Sequence, residues 1–86
     1  MDPKIEHVVE EFIHDLHLAH PEITIKVKDY KWSDEDATLE ILLPKTVTED
    51  EENDILDMRT NLAGKLFDST GVYILAVART VEQPTA

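Results

Sequence analysis

The chain of 86 residues contains no cysteine. It therefore cannot form a disulfide, bind a metal through a thiolate or use a cysteine nucleophile. No apolar run approaches the roughly 20 residues that a transmembrane helix needs, and the first residues lack the positive charge and apolar stretch of a signal peptide. These absences predict a cytoplasmic protein that does not insert into a membrane.

Basic residues are scarce as well, with 8 Lys and Arg against 19 Asp and Glu and a net charge of −11. A surface of this sign repels nucleic-acid phosphates and anionic lipids at long range. The charge balance therefore argues against double-stranded nucleic acid as a partner. It favours solubility, basic partners or divalent cations.

Glycine occurs only at positions 64 and 71, so the glycine-rich motifs of phosphate-binding loops and of nucleophile elbows are absent. No acid or histidine stands in a context that indicates a nucleophile–base pair. A chain of this length also has little capacity for a deep pocket. We therefore predict that the protein is not an enzyme.

One stretch stands out among the residues that are present, the apolar segment Gly71 to Val81. Between Val72 and Ala78 its only polar side-chain group is the hydroxyl of Tyr73. Consecutive apolar residues rich in β-branched and aromatic types are typical of a strand buried on both faces. Such a strand needs cover on two sides, which a small domain has difficulty supplying.

The first half of the chain predicts a helix and a hairpin. Apolar residues recur at helical spacing from Pro3 to about Ala19, and Asp2 is a suitable N-cap. Alternating apolar residues predict a strand from Glu22 to Trp32 and a return strand from Ala37 to Leu43. Pro44 ends the return strand because it cannot donate a ladder hydrogen bond.

A second helix follows. Thr48 and Glu51 form a capping box, and the helix is expected to run to about Asp68. Gly64 within it costs about 1 kcal/mol relative to alanine, which predicts a close approach of helix and sheet. Arg59 interrupts the apolar stripe. We expect it either to extend to the helix edge or to pair with an acid, such as Asp29 or Asp57.

The order helix, strand, strand, helix, strand predicts one α+β domain over residues 1–81, with two helices on one face of a three-stranded mixed sheet and a flexible tail at 82–86. This order is similar to that of KH-like RNA-binding domains, the N-terminal domain of the ribosome maturation factor RimP and the cytoplasmic domain of cation-efflux transporters. The likeness is one of topology. The Gly-x-x-Gly loop of KH domains is absent, so no residue is carried over from these families.

Histidines and acids on the first helix form the candidate metal site. His7 and His14 lie two turns apart, about 10.5 Å of rise, which is too far for both to bind one ion. The better cluster is His14 with Glu10, Glu11 or His17, which offers two or three ligands of types that suit Zn²⁺ or Ni²⁺. The alternative is a solvated polar helix face, in which case no cofactor is bound.

The second face of the sheet is the candidate interaction surface. Alternation along the third strand directs Tyr73, Leu75 and Val77 away from the helices, and the hairpin contributes further residues with lysines nearby. Such an apolar area exceeds what a monomer usually exposes. The predicted interface residues are Tyr30, Trp32, Leu42, Tyr73, Leu75 and Val77.

These features predict a non-catalytic, small acidic protein-interaction module that forms a homodimer through the open sheet face or binds another protein. Three alternatives remain. One helix could cover each face of the sheet and leave nothing exposed. The first helix could bind a divalent metal. Aromatic residues with lysines on a sheet could also bind single-stranded RNA by stacking.

Overall fold

The computed structural model describes residues 2–31 and 34–81. The elements in chain order are α1 (Pro3–Ala19), β1 (Thr24–Lys28), β2 (Ala37–Leu43), α2 (Glu49–Thr70) and β3 (Ile74–Thr80). The sheet order is β1-β2-β3, with β1 antiparallel and β3 parallel to β2. The predicted α+β class and the order of elements are confirmed, whereas the predicted tail at 82–86 lies outside the described residues.

Both helices begin at the predicted caps. The Asp2 carboxylate accepts a hydrogen bond of 2.8 Å from the Lys4 amide at the start of α1. At the start of α2, the Thr48 hydroxyl oxygen accepts from the Glu51 amide at 3.1 Å, and the Glu51 carboxylate accepts from the Thr48 amide at 3.5 Å. The capping box therefore satisfies amide groups that have no partner within the helix.

The core lies between the helices and one face of the sheet. The register aligns Ile25 with Ile41 and Ile41 with Ala78 across the three strands, and Val27, Leu39 and Ala76 form the next row. Against these rows pack apolar residues of both helices. The largest fully buried apolar side chains of the core are Phe12, Leu16, Leu39, Ile41, Leu43 and Ile55.

The starts of the two parallel strands are joined directly. The Asp36 amide donates a hydrogen bond of 2.8 Å to the carbonyl oxygen of Tyr73, and the Tyr73 amide donates one of 2.8 Å to the Asp36 carboxylate. At the far end, the Val81 amide donates to the Leu43 carbonyl oxygen at 2.8 Å. The β2–β3 pairing is thus fastened at both ends.

β1 is shorter than the sequence predicts, and β3 is covered on one face. β1 ends at Lys28, four residues before the predicted end at Trp32, which lies outside the described residues. Lys28 pairs with Thr38, and β2 begins at Ala37, so little of β2 remains for a longer β1 to pair with. β3 is buried on one face only, since Ile74 and Ala76 are buried while Val77 is exposed. The chain thus covers one face of this apolar strand, as the predicted arrangement of two helices on one side of the sheet requires.

The expectation for Gly64 is also wrong. A Cβ atom placed on Gly64 would meet no atom within 4 Å, and the residue is exposed on α2. No close helix–sheet approach requires glycine there. By contrast, Gly71 ends α2 in the left-handed region, with φ of 78°, where a side chain is strained.

Arg59 is half-buried and makes neither of the expected acidic contacts. Its Nη1 atom donates a hydrogen bond of 3.1 Å to the carbonyl oxygen of Ala76 in β3. The helix therefore places a guanidinium group against the strand rather than against an acid. The sequence did not predict this contact because helical periodicity gives the direction of a side chain but not the strand atom that it meets.

Candidate interaction surface

The face of the sheet that points away from the core is called the open face. Alternation along the paired strands assigns its residues, since neighbours in register point to the same side. Both helices contribute to the core on the opposite side. The open face consists of Thr24, Lys26, Lys28, Thr38, Glu40, Leu42, Leu75, Val77 and Arg79.

Apolar residues on the open face gather on its β3 side. Val77 is 43% exposed and Leu75 is half-buried, whereas Leu42 on the central strand is only 9% exposed. The β1 side carries Thr24, Lys26 and Lys28. The open face therefore exposes fewer large apolar side chains than the sequence predicts.

Glu40 lies at the centre of a charge network on this face. The Arg79 Nε atom donates a hydrogen bond of 3.0 Å to one carboxylate oxygen, and the Lys28 Nζ atom lies 3.3 Å from the other. The hydrogen bond from Arg79, followed by that from Lys28, lowers the pKa of Glu40 below its ordinary value of 4.5 despite partial desolvation. Glu40 thus compensates two of the three cations of the open face.

This network predicts a pH dependence. Because the folded-state pKa of Glu40 is depressed, its ion pairs stabilise the fold above the ordinary value of 4.5, and that contribution is lost as the pH falls through the folded pKa. We expect Glu40→Gln to flatten the acid side of a plot of unfolding free energy against pH. Urea unfolding at a series of pH values measures this free energy for the parent and the variant.

Glu10→Gln provides the control, since Glu10 is an exposed acid on α1 that makes no ion pair within residues 2–31 and 34–81. Its profile should follow that of the parent more closely. An equal flattening by both variants would contradict a specific role for the Glu40 network.

Tyr30 and Tyr73 of the predicted interface do not lie on the strands. Tyr73 precedes β3, and its ring meets that of Phe67 on α2 edge to face, with 6.3 Å between centroids. Tyr30 follows β1 and is exposed, while Trp32 lies outside the described residues. Of the six predicted interface residues, the structure thus brings Leu42, Leu75 and Val77 together on the open face. An aromatic platform for stacking RNA bases is not part of the three strands.

The metal candidates do not converge in the described chain. Glu10, Glu11 and His14 are exposed on α1, but the Nε2 atom of His17 lies 2.9 Å from the carbonyl oxygen of Ile23. A carbonyl oxygen only accepts, so this nitrogen carries a proton and cannot bind a metal at the same time. Among the described residues, no group of three or more histidines and acids is placed to hold an ion.

Two buried polar residues, His20 and Glu35, were missed by the sequence reasoning. His20 is 8% exposed, with Nδ1 at 3.4 Å from a Glu22 oxygen and Nε2 at 3.3 Å from an Asp54 oxygen. Glu35 is 1% exposed and accepts a hydrogen bond of 2.7 Å from the Thr38 hydroxyl. Both residues stand in polar segments of the sequence, which give no signal of burial. Their position indicates a structural role in joining loops to α2 and β2.

Comparison with known proteins adds no function: no protein-family model, curated protein or solved structure matches the chain. Within the part of the chain that the structure describes, neither helix combines the length and apolar character needed to cross a bilayer. The proposed function therefore rests on the residues of the open face.

Proposed function

We propose that the protein is a non-catalytic interaction module that forms a homodimer through the open face. The observation that carries this proposal is the placement of both helices on one side of the sheet, with Leu75 and Val77 left accessible on the other. Burial of these side chains against a second copy would remove apolar surface from water. An isologous dimer is the commonest arrangement for such self-association.

The distribution of charge supports the choice of surface. The sequences of α1 and α2 contain four and seven acids respectively. The strands contain one acid, Glu40, and three bases, Lys26, Lys28 and Arg79. Two chains that each carry −11 are repelled at long range, and the open face is where the acids are fewest. Self-association through this face therefore keeps the acidic helices of the two copies apart.

The proposal predicts a dimer that salt strengthens. Added salt screens the repulsion between two acidic chains, so the dissociation constant should fall as ionic strength rises. Sedimentation equilibrium over a range of concentrations and salt should show a species of twice the 9.8 kDa monomer mass. Val77→Glu, which places a new charge in the contact, should weaken the dimer by about tenfold or more.

Leu18→Glu is the matched control. Leu18 is an exposed apolar residue of α1, on the helix side of the molecule, and the substitution adds the same charge. It should change the dissociation constant much less than Val77→Glu does. A monomer at all concentrations, or equal effects of the two substitutions, would overturn the proposal. Binding of single-stranded RNA that weakens with salt would instead favour the RNA alternative.

A further inference from the structure

The outer edge of β3 carries backbone groups without a strand partner. In a parallel ladder, alternate residues direct both their N–H and C=O groups toward the same neighbour. The Tyr73 carbonyl and the Val81 amide bond to residues beside or within β2, so the odd-numbered residues between them face β2. The N–H and C=O groups of Ile74, Ala76, Ala78 and Thr80 therefore point outward, and of these the Ala76 carbonyl oxygen already accepts the hydrogen bond from Arg59. In the described sheet no strand pairs with this edge.

A groove of about 350 Å³ runs between this edge and α2. Its helix wall is formed by Arg59, Thr60 and Ala63, and its strand wall by residues 74–77. Thr60 and Ala63 are small residues, and between them and the strand the groove is open to solvent. The groove thus has room for the alternate side chains of an added extended chain.

Arg59 is the charged residue that lines this groove. It is half-buried and makes no ion pair within residues 2–31 and 34–81, whereas Arg79 and Lys28 both pair with Glu40. Its hydrogen bond to Ala76 uses one of the five N–H donors of a guanidinium group. A partly desolvated cation is stabilised most by a carboxylate, which can accept two of the remaining donors together.

We propose that this groove binds an extended segment of a partner protein, which adds as a strand to the β3 edge and presents an Asp or Glu side chain to Arg59. Main-chain hydrogen bonds at the outward groups would hold the segment, and the carboxylate would fix its position. Ala76 is the third of the seven residues of β3. An internal acidic residue, rather than a chain terminus, therefore lets the segment cover the strand on both sides of Arg59. The groove shares Leu75 and Val77 with the open face, but Arg59 and the outward backbone groups of β3 are not part of that face, so the inference goes beyond the open-face dimer.

The strands of a second copy are poorer occupants. β1 and β3 contain no acid, and Glu40 stands on β2, the central strand of the sheet. Pairing of β3 with β1 or β3 of another copy would leave Arg59 without a carboxylate. The net charge of −11 repels an acidic segment at distance, but no acid lines the groove, and the screening length is about 8 Å at physiological salt. Within that distance, the positive charge of Arg59 determines the attraction between the groove and a bound carboxylate.

A capped seven-residue peptide of alternating threonine and valine with a central glutamate, matching β3 in length, is the probe. The same peptide with glutamine is its control. NMR titration of the parent protein should place the chemical-shift changes on Ile74, Ala76 and Ala78, with about tenfold tighter binding of the glutamate peptide. Arg59→Gln should remove this preference. Ala78→Pro, which deletes an outward N–H, should weaken both peptides while leaving the β2 pairing intact.

Equal affinity for the two peptides would overturn the proposal even if Arg59→Gln failed to fold, since that comparison uses the unaltered protein. Shifts on the open face instead of the β3 edge would overturn it as well. Shifts of the Ile74, Ala76 and Ala78 amides that grow with protein concentration alone, in the absence of peptide, would show that a second copy occupies the edge and would overturn the proposal. The comparison of the two peptides does not require the open-face dimer, which sedimentation of Val77→Glu tests without peptide.

Discussion

Phe12→Ala is expected to lower the free energy of unfolding by about 3–5 kcal/mol. Phe12 has no solvent-accessible surface and lies in the middle of α1, within the cluster that joins the helices to the sheet. Truncation removes most of a buried aromatic side chain and leaves a cavity that packed neighbours fill only partly. Small domains have a total stability of about 5–15 kcal/mol, so the variant should be close to unfolded. Urea unfolding followed by circular dichroism measures the loss.

Leu18→Ala gives the matched comparison on the same helix. Leu18 is 71% exposed, so its truncation should change the free energy of unfolding by no more than about 0.5 kcal/mol. A loss below about 1 kcal/mol for Phe12→Ala, or similar losses for both variants, would contradict the packing of α1 on the sheet.

The two glycines should respond to alanine with opposite signs. Gly71 has a φ of 78°, and a left-handed conformation costs a residue with a side chain about 1–2 kcal/mol, so Gly71→Ala should destabilise the protein by that amount. Gly64 lies within α2, and a Cβ there would meet nothing within 4 Å. Gly64→Ala should therefore stabilise the protein by up to about 1 kcal/mol, because alanine is the better helix former.

Each glycine serves as the control for the other, since both substitutions add one methyl group within a few residues of the same helix end. Thermal unfolding of the two variants beside the parent should place Gly64→Ala above it and Gly71→Ala below it. Stabilisation by both, or destabilisation by both, would contradict the conformations described for α2 and its end.

Local sequence signals predicted much of the fold. Asp2 and the pair Thr48 and Glu51 act within a few residues of the helix starts, so their capping contacts follow from the sequence. The bounds of β2, Ala37–Leu43, also match, because alternation and Pro44 act along the chain. These features require no knowledge of which elements meet.

The remaining differences arise where distant segments meet. The end of β1 depends on where β2 begins, and the contact of Arg59 depends on a strand 17 residues away. The contact of His20 with Asp54 joins the end of α1 to a residue on the other helix. For Gly64 the error has the opposite origin: the sequence predicted a tertiary contact that requires glycine, and the structure contains no atom within 4 Å of a Cβ placed there. Helical and strand periodicities contain none of this information.

The candidate site was predicted in part for the same reason. Alternation placed Leu42, Leu75 and Val77 on one face, because these residues lie within the strands and follow their period. Tyr30 and Tyr73 lie beyond the strand ends, where the alternation no longer fixes direction. The β3 edge groove was not predicted, since it requires the sheet order and the position of α2.

The paired hydrogen bonds between Asp36 and Tyr73 decide which surface the protein presents. A strand that slips by one residue exchanges its two sets of side chains. For β3, a slip would turn Ile74 and Ala76 toward water and direct Leu75 and Val77 into the core. The two hydrogen bonds of 2.8 Å between Asp36 and Tyr73, the residues just before β2 and β3, fix the alignment of Ala37 with Ile74. One carboxylate in the loop before β2 thus helps to determine the identity of a surface formed almost 40 residues later in the chain.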